Sequence, residues 1–135
     1  MTGIEWNERY SVGIQSIDDQ HKEIFRLLDQ LLQALKLGKA PQMLLRTITE
    51  LEVYATSHFY KEEFFFREFN FPDSASHVRE HEHFLKKINS LKGDAREGKL
   101  QSSLDLLYFL NGWIAHHILI VDIQYSDHFQ QNGLR

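Results

Sequence analysis

Two short stretches, HFYKEE at residues 58–63 and HVREH at residues 77–81, decide the fold of this chain. Each begins with a histidine, and a second metal-ligating side chain follows four residues later, Glu62 in the first stretch and His81 in the second. Residues four apart lie on one face of an α-helix, one turn above the other. The spacing therefore predicts two helices, each of which presents a pair of ligand side chains along one face.

Apolar residues recur at three- and four-residue steps over four segments, the pattern of amphipathic helices. The predicted helices cover about residues 17–37, 41–69, 74–92 and 101–122. Gly38 is suited to end the first of them. Because the links are short and strand-like alternation is absent, the chain predicts an all-α fold, an antiparallel up-down-up-down four-helix bundle.

The remaining segments are predicted to lie outside the helices. Residues 1–16 are expected to form an extended N-terminal arm that packs on the bundle as a strap. Gly93 is expected to end the third helix, and the tail after Tyr125 is expected to be polar. The chain, residues 1–135, is interpreted as a single domain.

Seven candidate metal ligands lie on the apolar faces of these helices. They are His21, His58, Glu62, His77, His81, His117 and Asp122. His21 lies near the start of the first helix and His117 near the end of the fourth, and these two ends lie at the same level in an antiparallel bundle. All four helices are therefore expected to deliver ligands to one layer of the interior.

The composition of this set indicates more than one metal ion. Five histidines and two carboxylates exceed the four ligands of a tetrahedral zinc site. They suit two metal ions that share the carboxylates, and two six-coordinate ions with one further oxygen bridge keep a single vacant position for a small molecule. The donor types alone do not choose among iron, zinc and manganese.

The His116–His117 doublet makes the ligand of the fourth helix ambiguous by periodicity alone. We choose His117 because of its spacing to Asp122. Five residues along a straight α-helix turn the second side chain by about 140° from the first. This choice therefore predicts a bend or a wide turn just before Asp122.

Four strings together resemble those of the bacterial hemerythrins over roughly residues 10–125. They are DDQH at 18–21, HFYKEE at 58–63, HVREH at 77–81 and WIAHHILIVD at 113–122, followed by Tyr125. The resemblance implies a four-helix bundle, a cofactor of two non-haem iron ions with a bridging oxide or hydroxide, and dioxygen as the ligand.

The resemblance also implies a role for each residue. One iron would be bound by His77, His81 and His117. The other, which would take dioxygen, would be bound by His21 and His58. The bridging carboxylates would be Glu62 and Asp122. The apolar wall of the oxygen pocket would include Phe59, Trp113, Ile118 and Leu119. This sequence has Phe66 where the family often has methionine, a difference expected to change the packing and not the ligation.

Other polar residues receive plainer interpretations. His83, His116 and His128 are expected on the surface or beside ligands, and so is Glu63. Asp18 and Gln20 are interpreted as helix-start residues only. Glu80 and His83 form one Glu-x-x-His match, but a ferritin-like di-iron site needs two, so we treat the match as coincidence.

The function that the resemblance implies is reversible dioxygen binding, for transport, storage or scavenging, and not enzymatic turnover. The alternative is an oxygen- or redox-sensing input domain that acts on a protein partner or a downstream signalling domain. A di-iron oxidase ranks third, because the set lacks an obvious general acid.

Composition excludes other classes. The net charge of −4 without a basic stripe argues against nucleic acid, and the lack of cysteine excludes thiolate metal sites. We see no signal peptide and no segment that approaches a membrane span, so a cytoplasmic location is expected.

Overall fold

Helices account for most of this computed structural model, which describes residues 5–98 and 102–134. They are α1 (Gln15–Lys36), α2 (Ala40–Glu68), α3 (Ser74–Arg96), α4 (Ser102–Trp113), a π-helical segment (Ile114–Val121) and α5 (Ile123–Gln131). The last three follow one another directly and form the fourth rod of the bundle. Two predictions fall outside the described residues: the first four residues of the arm, and residue 101 as the start of the fourth helix.

The rods pack as the predicted antiparallel bundle. Helix α1 contacts α2 and α4, and α3 contacts the same two helices from the other side. The links between α1 and α2 and between α2 and α3 are so short that the chain must reverse at each. Gly38 leaves α1 with a φ of +69°, a left-handed conformation that glycine adopts without strain. The predicted all-α four-helix bundle is confirmed among the described residues.

Helix α3 continues through Gly93 to Arg96, so the predicted end at this glycine is wrong. A glycine inside a helix costs about 1 kcal/mol relative to alanine. On either side of it, buried Leu91 and half-buried Ala95 pack on the hydrophobic core, which favours continuation of the helix. The chain leaves the helical path only near Gly98, where φ is +73°.

The segment after Asp122 is helical as well, so the predicted helix end there is wrong, and the mostly polar tail contains one buried aromatic residue, Phe129. Tyr125 and Phe129, one turn apart in α5, are fully buried. Their rings are stacked with centroids 4.8 Å apart. Burial of this aromatic pair explains why α5 packs on the bundle although most residues around it are polar.

The N-terminal arm packs along the bundle, as the sequence predicts. One 3-10 turn, Glu8–Tyr10, interrupts its extended path. The Tyr10 ring lies 4.8 Å from that of Phe25 in α1, and buried Val12 and Ile14 follow. Apolar contact therefore holds the described part of the arm.

Asp18 ties the arm to the first turn of α1, so it is more than a helix-start residue. Its carboxylate accepts a hydrogen bond from the Ser11 hydroxyl at 2.5 Å and another from the Val12 N–H at 2.9 Å.

Helix α1 begins at Gln15, two residues before the predicted start at residue 17.

Two hydrophobic clusters lie at different heights in the bundle, and the candidate ligands lie between them. The main core holds most of the buried aliphatic residues together with Phe59, Phe84 and Trp113. The second, which we call the end cluster, consists of Val12, Ile14, Ile17, Phe66, Phe71, Tyr125 and Phe129. In α1, for example, His21 follows Ile17 of the end cluster and precedes Ile24 of the main core.

The fourth rod, Ser102–Gln131, is long and apolar enough to cross a membrane by length and composition alone. The sequence-based expectation that no segment approaches a span is therefore too strong. A packed core helix passes the same test, and Leu106, Leu110 and Ile114 are completely buried against the other helices. The apolar character of this rod is explained by its place in the bundle.

Candidate metal centre

The seven side chains singled out from the sequence converge in one buried layer, and none is more than 3% exposed. They form two groups, in each of which the ligand atoms lie within 4.8 Å of one another. The three-histidine group consists of His77, His81, His117 and Glu62. The two-histidine group consists of His21, His58, Glu62 and Asp122.

Glu62 lies between the two groups. Its Oε1 lies 3.0 Å from Nε2 of His58 and 3.1 Å from Nε2 of His81. These histidines come from α2 and α3 and belong to different groups. The carboxylate is thus placed to be shared.

Asp122 is shared in the same way from the other side. Its Oδ2 lies 2.9 Å from Nε2 of His21 in the two-histidine group. Its Oδ1 lies 2.7 Å from Nε2 of His77 and 2.9 Å from Nε2 of His117. Each carboxylate therefore spans the two clusters of imidazoles.

The atoms that face the centre lack hydrogen bonds in the described part of the chain, despite these short distances. This is true of both oxygens of Glu62 and of Asp122, and of Nε2 of His21, His77, His81 and His117. An unsatisfied buried polar group costs about 1–3 kcal/mol, so proteins rarely tolerate several together. Imidazole nitrogens and carboxylate oxygens are ligands for first-row metal ions. The cluster fits a metal site.

The outer nitrogens of three histidines have partners that fix their tautomers. Nδ1 of His58 lies 2.7 Å from Oε1 of Gln20, Nδ1 of His81 lies 2.9 Å from Oε2 of Glu63, and Nδ1 of His117 lies 3.1 Å from Oε1 of Glu80. A carboxylate or amide oxygen only accepts, so in each pair Nδ1–H must donate. In the neutral ring Nε2 then keeps its lone pair toward the centre.

Sequence reasoning did not identify Gln20 and Glu80 as such partners. Gln20 is therefore more than a helix-start residue. Glu80 pairs with His117 and does not act through the Glu-x-x-His match that it forms with His83. Each partner directly precedes or follows a ligand in the sequence but supports a ligand on the next helix. Polar residues adjacent to ligands are therefore the signal that could have found them.

The fourth rod presents His117 to the centre and leaves its neighbour outside. The His116 side chain is 66% exposed, and its Nε2 lies 3.8 Å from Glu80. The N–H of Asp122 donates to the carbonyl oxygen of His117 at 2.7 Å, a five-residue step. This is π-helical geometry, and it confirms the wide turn predicted before Asp122. Of the other histidines, His83 is exposed and His128 half-buried, and neither belongs to a ligand group.

Aromatic rings cover the three-histidine group on the side of the main core. Phe59 stacks on His81 with ring centroids 3.8 Å apart and planes 6° apart. Trp113 stacks on His117 at 3.9 Å and 13°. Ile118 is buried in the same cluster, and half-buried Leu119 packs against it. Phe66 covers the opposite side, with its centroid 4.8 Å from that of His77.

In the metal-free protein, the carboxylates and imidazoles of the centre stabilise one another's charged forms and so shift one another's pKa values. Burial opposes ionisation of Asp122, but His117 and its neighbours hold the pKa of this carboxyl well below its ordinary value. Burial lowers the pKa of His117, and Asp122 outweighs that effect and raises it to about 9. Burial and Asp122 oppose ionisation of Glu62, but His58 and His81 hold the pKa of this carboxyl well below its usual range. Both carboxylates therefore stay anionic.

Fold and site together define a helical-bundle protein with a buried cluster of histidines and carboxylates suited to a metal site. Residues 12–123 match the family described as the hemerythrin HHE cation binding domain. This chain belongs to the hemerythrin family.

Relatives and solved structures support the assignment. The chain is 31% identical to a bacteriohemerythrin of Clostridium acetobutylicum, over 90% of this chain and 98% of the relative. It is 30% identical to a bacteriohemerythrin of Pseudomonas aeruginosa, over 94% and 82%. A crystal structure of wild-type hemerythrin superimposes with a TM-score of 0.82 at 25% identity, over 92% of this chain and 95% of that one.

Proposed function

We propose that this protein binds dioxygen reversibly at a non-haem di-iron centre, as a carrier, store or scavenger of oxygen. The observation that carries the proposal is the convergence of orphaned, buried nitrogen and oxygen atoms on one layer. One iron would be held by His77, His81 and His117, and the other by His21 and His58. Glu62 and Asp122 would bridge the two irons, together with an oxide or hydroxide.

The ligand set suits a charged pair of ions in a dry interior. Two anionic carboxylates supply negative charge, and five imidazoles supply neutral donors. When bound, the iron pair supplies the redox chemistry of reversible dioxygen uptake. The chain's own part is to hold both ions, to keep the carboxylates ionised and to exclude water.

The apolar wall supports binding without turnover. Phe59 and Trp113 cover two ligands by stacking, and Ile118 and Leu119 extend the same surface. We propose that these four residues line the oxygen pocket. Displacement of water by such a wall protects a reactive centre from side reactions.

The test is a metal assay combined with absorption spectra recorded without and with dioxygen. The expected result is two irons per chain and a visible band that appears with dioxygen and disappears when dioxygen is removed. Consumption of more than one dioxygen per two irons would instead identify an oxidase. Absence of iron from the reconstituted protein would contradict the proposal.

Three variants sharpen the assay, and two of them form a matched pair. His58→Ala should leave one iron per chain and abolish the band, because the site proposed for dioxygen loses half of its imidazoles. His117→Ala should reduce iron binding, whereas His116→Ala, which alters the adjacent exposed side chain, should match the unmodified protein. Equal effects of the last two variants would refute the choice of His117.

A further inference from the structure

The imidazoles of the two ligand groups are supported unequally at their outer nitrogens. In the three-histidine group, His81 and His117 each donate to a carboxylate, Glu63 and Glu80 respectively. In the two-histidine group, His58 donates to Gln20, whose amide is neutral. Nδ1 of His21 is buried and has no hydrogen-bond partner within the described ranges.

The supports run in one direction around the bundle. Gln20 in α1 supports a ligand in α2, Glu63 in α2 supports one in α3, and Glu80 in α3 supports one in the fourth rod. The step that would close the ring, from the fourth rod back to His21 in α1, is missing from the described chain. His77 in the three-histidine group also lacks an outer partner within the described ranges, so each group has one unsupported imidazole. The groups differ in the charge of the remaining supports, which are two carboxylates in the three-histidine group and one neutral amide in the two-histidine group.

This difference has a chemical consequence for metal binding. A hydrogen bond from an imidazole N–H to a carboxylate is stronger than one to a neutral amide. It raises the basicity of the ligating nitrogen and holds the ring in position. An imidazole backed by an anion therefore binds a metal ion more tightly than one backed by an amide or by nothing.

We propose that the two metal subsites differ in affinity, and that Glu63, Glu80 and Gln20 act as positioning residues that set part of this difference. The two-histidine subsite fills last and empties first. This proposal depends on the metal centre of the proposed function. Because three imidazoles also bind more tightly than two, only variants of the outer partners isolate the contribution of the supports.

Gln20 offers the most informative change, since a single isosteric substitution reverses its character. Gln20→Glu places an anion behind His58 and should tighten the weaker subsite. Gln20 is half-buried and lines a surface cavity of about 440 Å³ with Tyr54, so water can reach a carboxylate at this position. If Gln20 had a merely structural role, Gln20→Glu would not raise the affinity of this subsite for the metal ion.

The experiment loads the protein with Fe²⁺ without dioxygen, adds a coloured ferrous chelator and follows the release of iron over time. The unmodified protein should release iron in two phases of equal amplitude, and His58→Ala should lack the fast phase. Gln20→Glu should slow the fast phase, and Glu63→Gln or Glu80→Gln should speed the slow phase, by about ten- to a hundredfold. Glu82→Gln, an exposed site on the same helix as Glu80, should change neither phase.

The outcomes separate this inference from the proposed function. Failure to bind iron at all would overturn the proposed function. Two bound irons released in a single phase, or two phases that none of the outer variants alters, would overturn the inference alone. Thermal melts of the metal-free variants identify any that fail to fold. If a loss variant fails to fold, Gln20→Glu decides the outcome, because the inference requires this variant to bind iron more tightly.

Discussion

Replacement of Phe59 by alanine tests the packing around the centre and its proposed pocket with one change. The ring is 3% exposed, stacks on His81 and meets Phe84 edge-on at 5.4 Å. Removal of a buried phenylalanine costs about 3–5 kcal/mol of unfolding free energy, from lost transfer energy and the cavity that remains. Tyr60→Ala is the matched control, because the neighbouring ring is 69% exposed and its loss should cost within about 0.5 kcal/mol.

Denaturant unfolding of the metal-free protein measures this cost without any contribution from bound iron. At about 4 °C per kcal/mol for a chain of this size, the thermal midpoint of Phe59→Ala should fall by roughly 12–20 °C. A loss as small as that of Tyr60→Ala would refute the stacking described for Phe59.

The same variant tests the pocket. In the iron-loaded protein, the cavity left beside His81 should admit water, of which each molecule occupies about 30 Å³ in the liquid. The oxygenated spectrum should therefore decay faster than in the unmodified protein, and Tyr60→Ala should leave the rate unchanged. If Phe59→Ala lowers stability but does not alter the decay, Phe59 is a core residue and not part of an oxygen pocket.

The contacts and charges give four further predictions. Burial lowers the pKa of His117, but Asp122 outweighs this and raises it to about 9, so below that pH a metal ion must displace a proton from His117. The affinity for Co²⁺, measured by titration, should therefore rise about tenfold per pH unit up to pH 9 and then level. An affinity that does not depend on pH would contradict this. The proton on His117 also stabilises the metal-free protein, fully below the pKa of about 6.5 that this histidine has in the unfolded chain. The free energy of unfolding in urea should lose this contribution as the pH rises through 9. Asp18→Ala should cost about 2–3 kcal/mol in urea unfolding, because two hydrogen bonds from the arm to a charged group are lost, and Asp18→Asn should cost less. Phe129→Ala should cost about 3–5 kcal/mol by the same method, whereas a cost below about 0.5 kcal/mol would mean that α5 does not pack on the bundle.

The spacing of side chains in the sequence was sufficient to predict the bundle and the layer of ligands. Four-residue steps put Glu62 above His58 on one helix face, and short links forced neighbouring helices to run antiparallel. The five-residue step from His117 to Asp122 predicted a departure from the α-helix, and the π-helical turn supplies it. These features depend on local geometry, which a sequence encodes directly.

The features that sequence reasoning missed depend on packing between distant elements. Whether Gln20 contacts His58 depends on how α1 and α2 are rotated against each other, and periodicity does not give this rotation. Gly93 has weak helix propensity, but its neighbours Leu91 and Ala95 pack on the main core and outweigh it. Phe129 is the one buried aromatic residue of the polar tail after Tyr125, and most of its partners in the end cluster come from the arm, α1, α2 and the link after α2.

Anomalous scattering at the iron absorption edge, from crystals of the iron-loaded protein, tests the central claim most directly. Two peaks are expected per chain, about 3.5–4 Å apart, as in other two-metal sites. One should lie against Nε2 of His77, His81 and His117, and the other against Nε2 of His21 and His58, with Glu62 and Asp122 between them. A single peak in this layer, or peaks at surface histidines with none between Glu62 and Asp122, would contradict the di-iron centre.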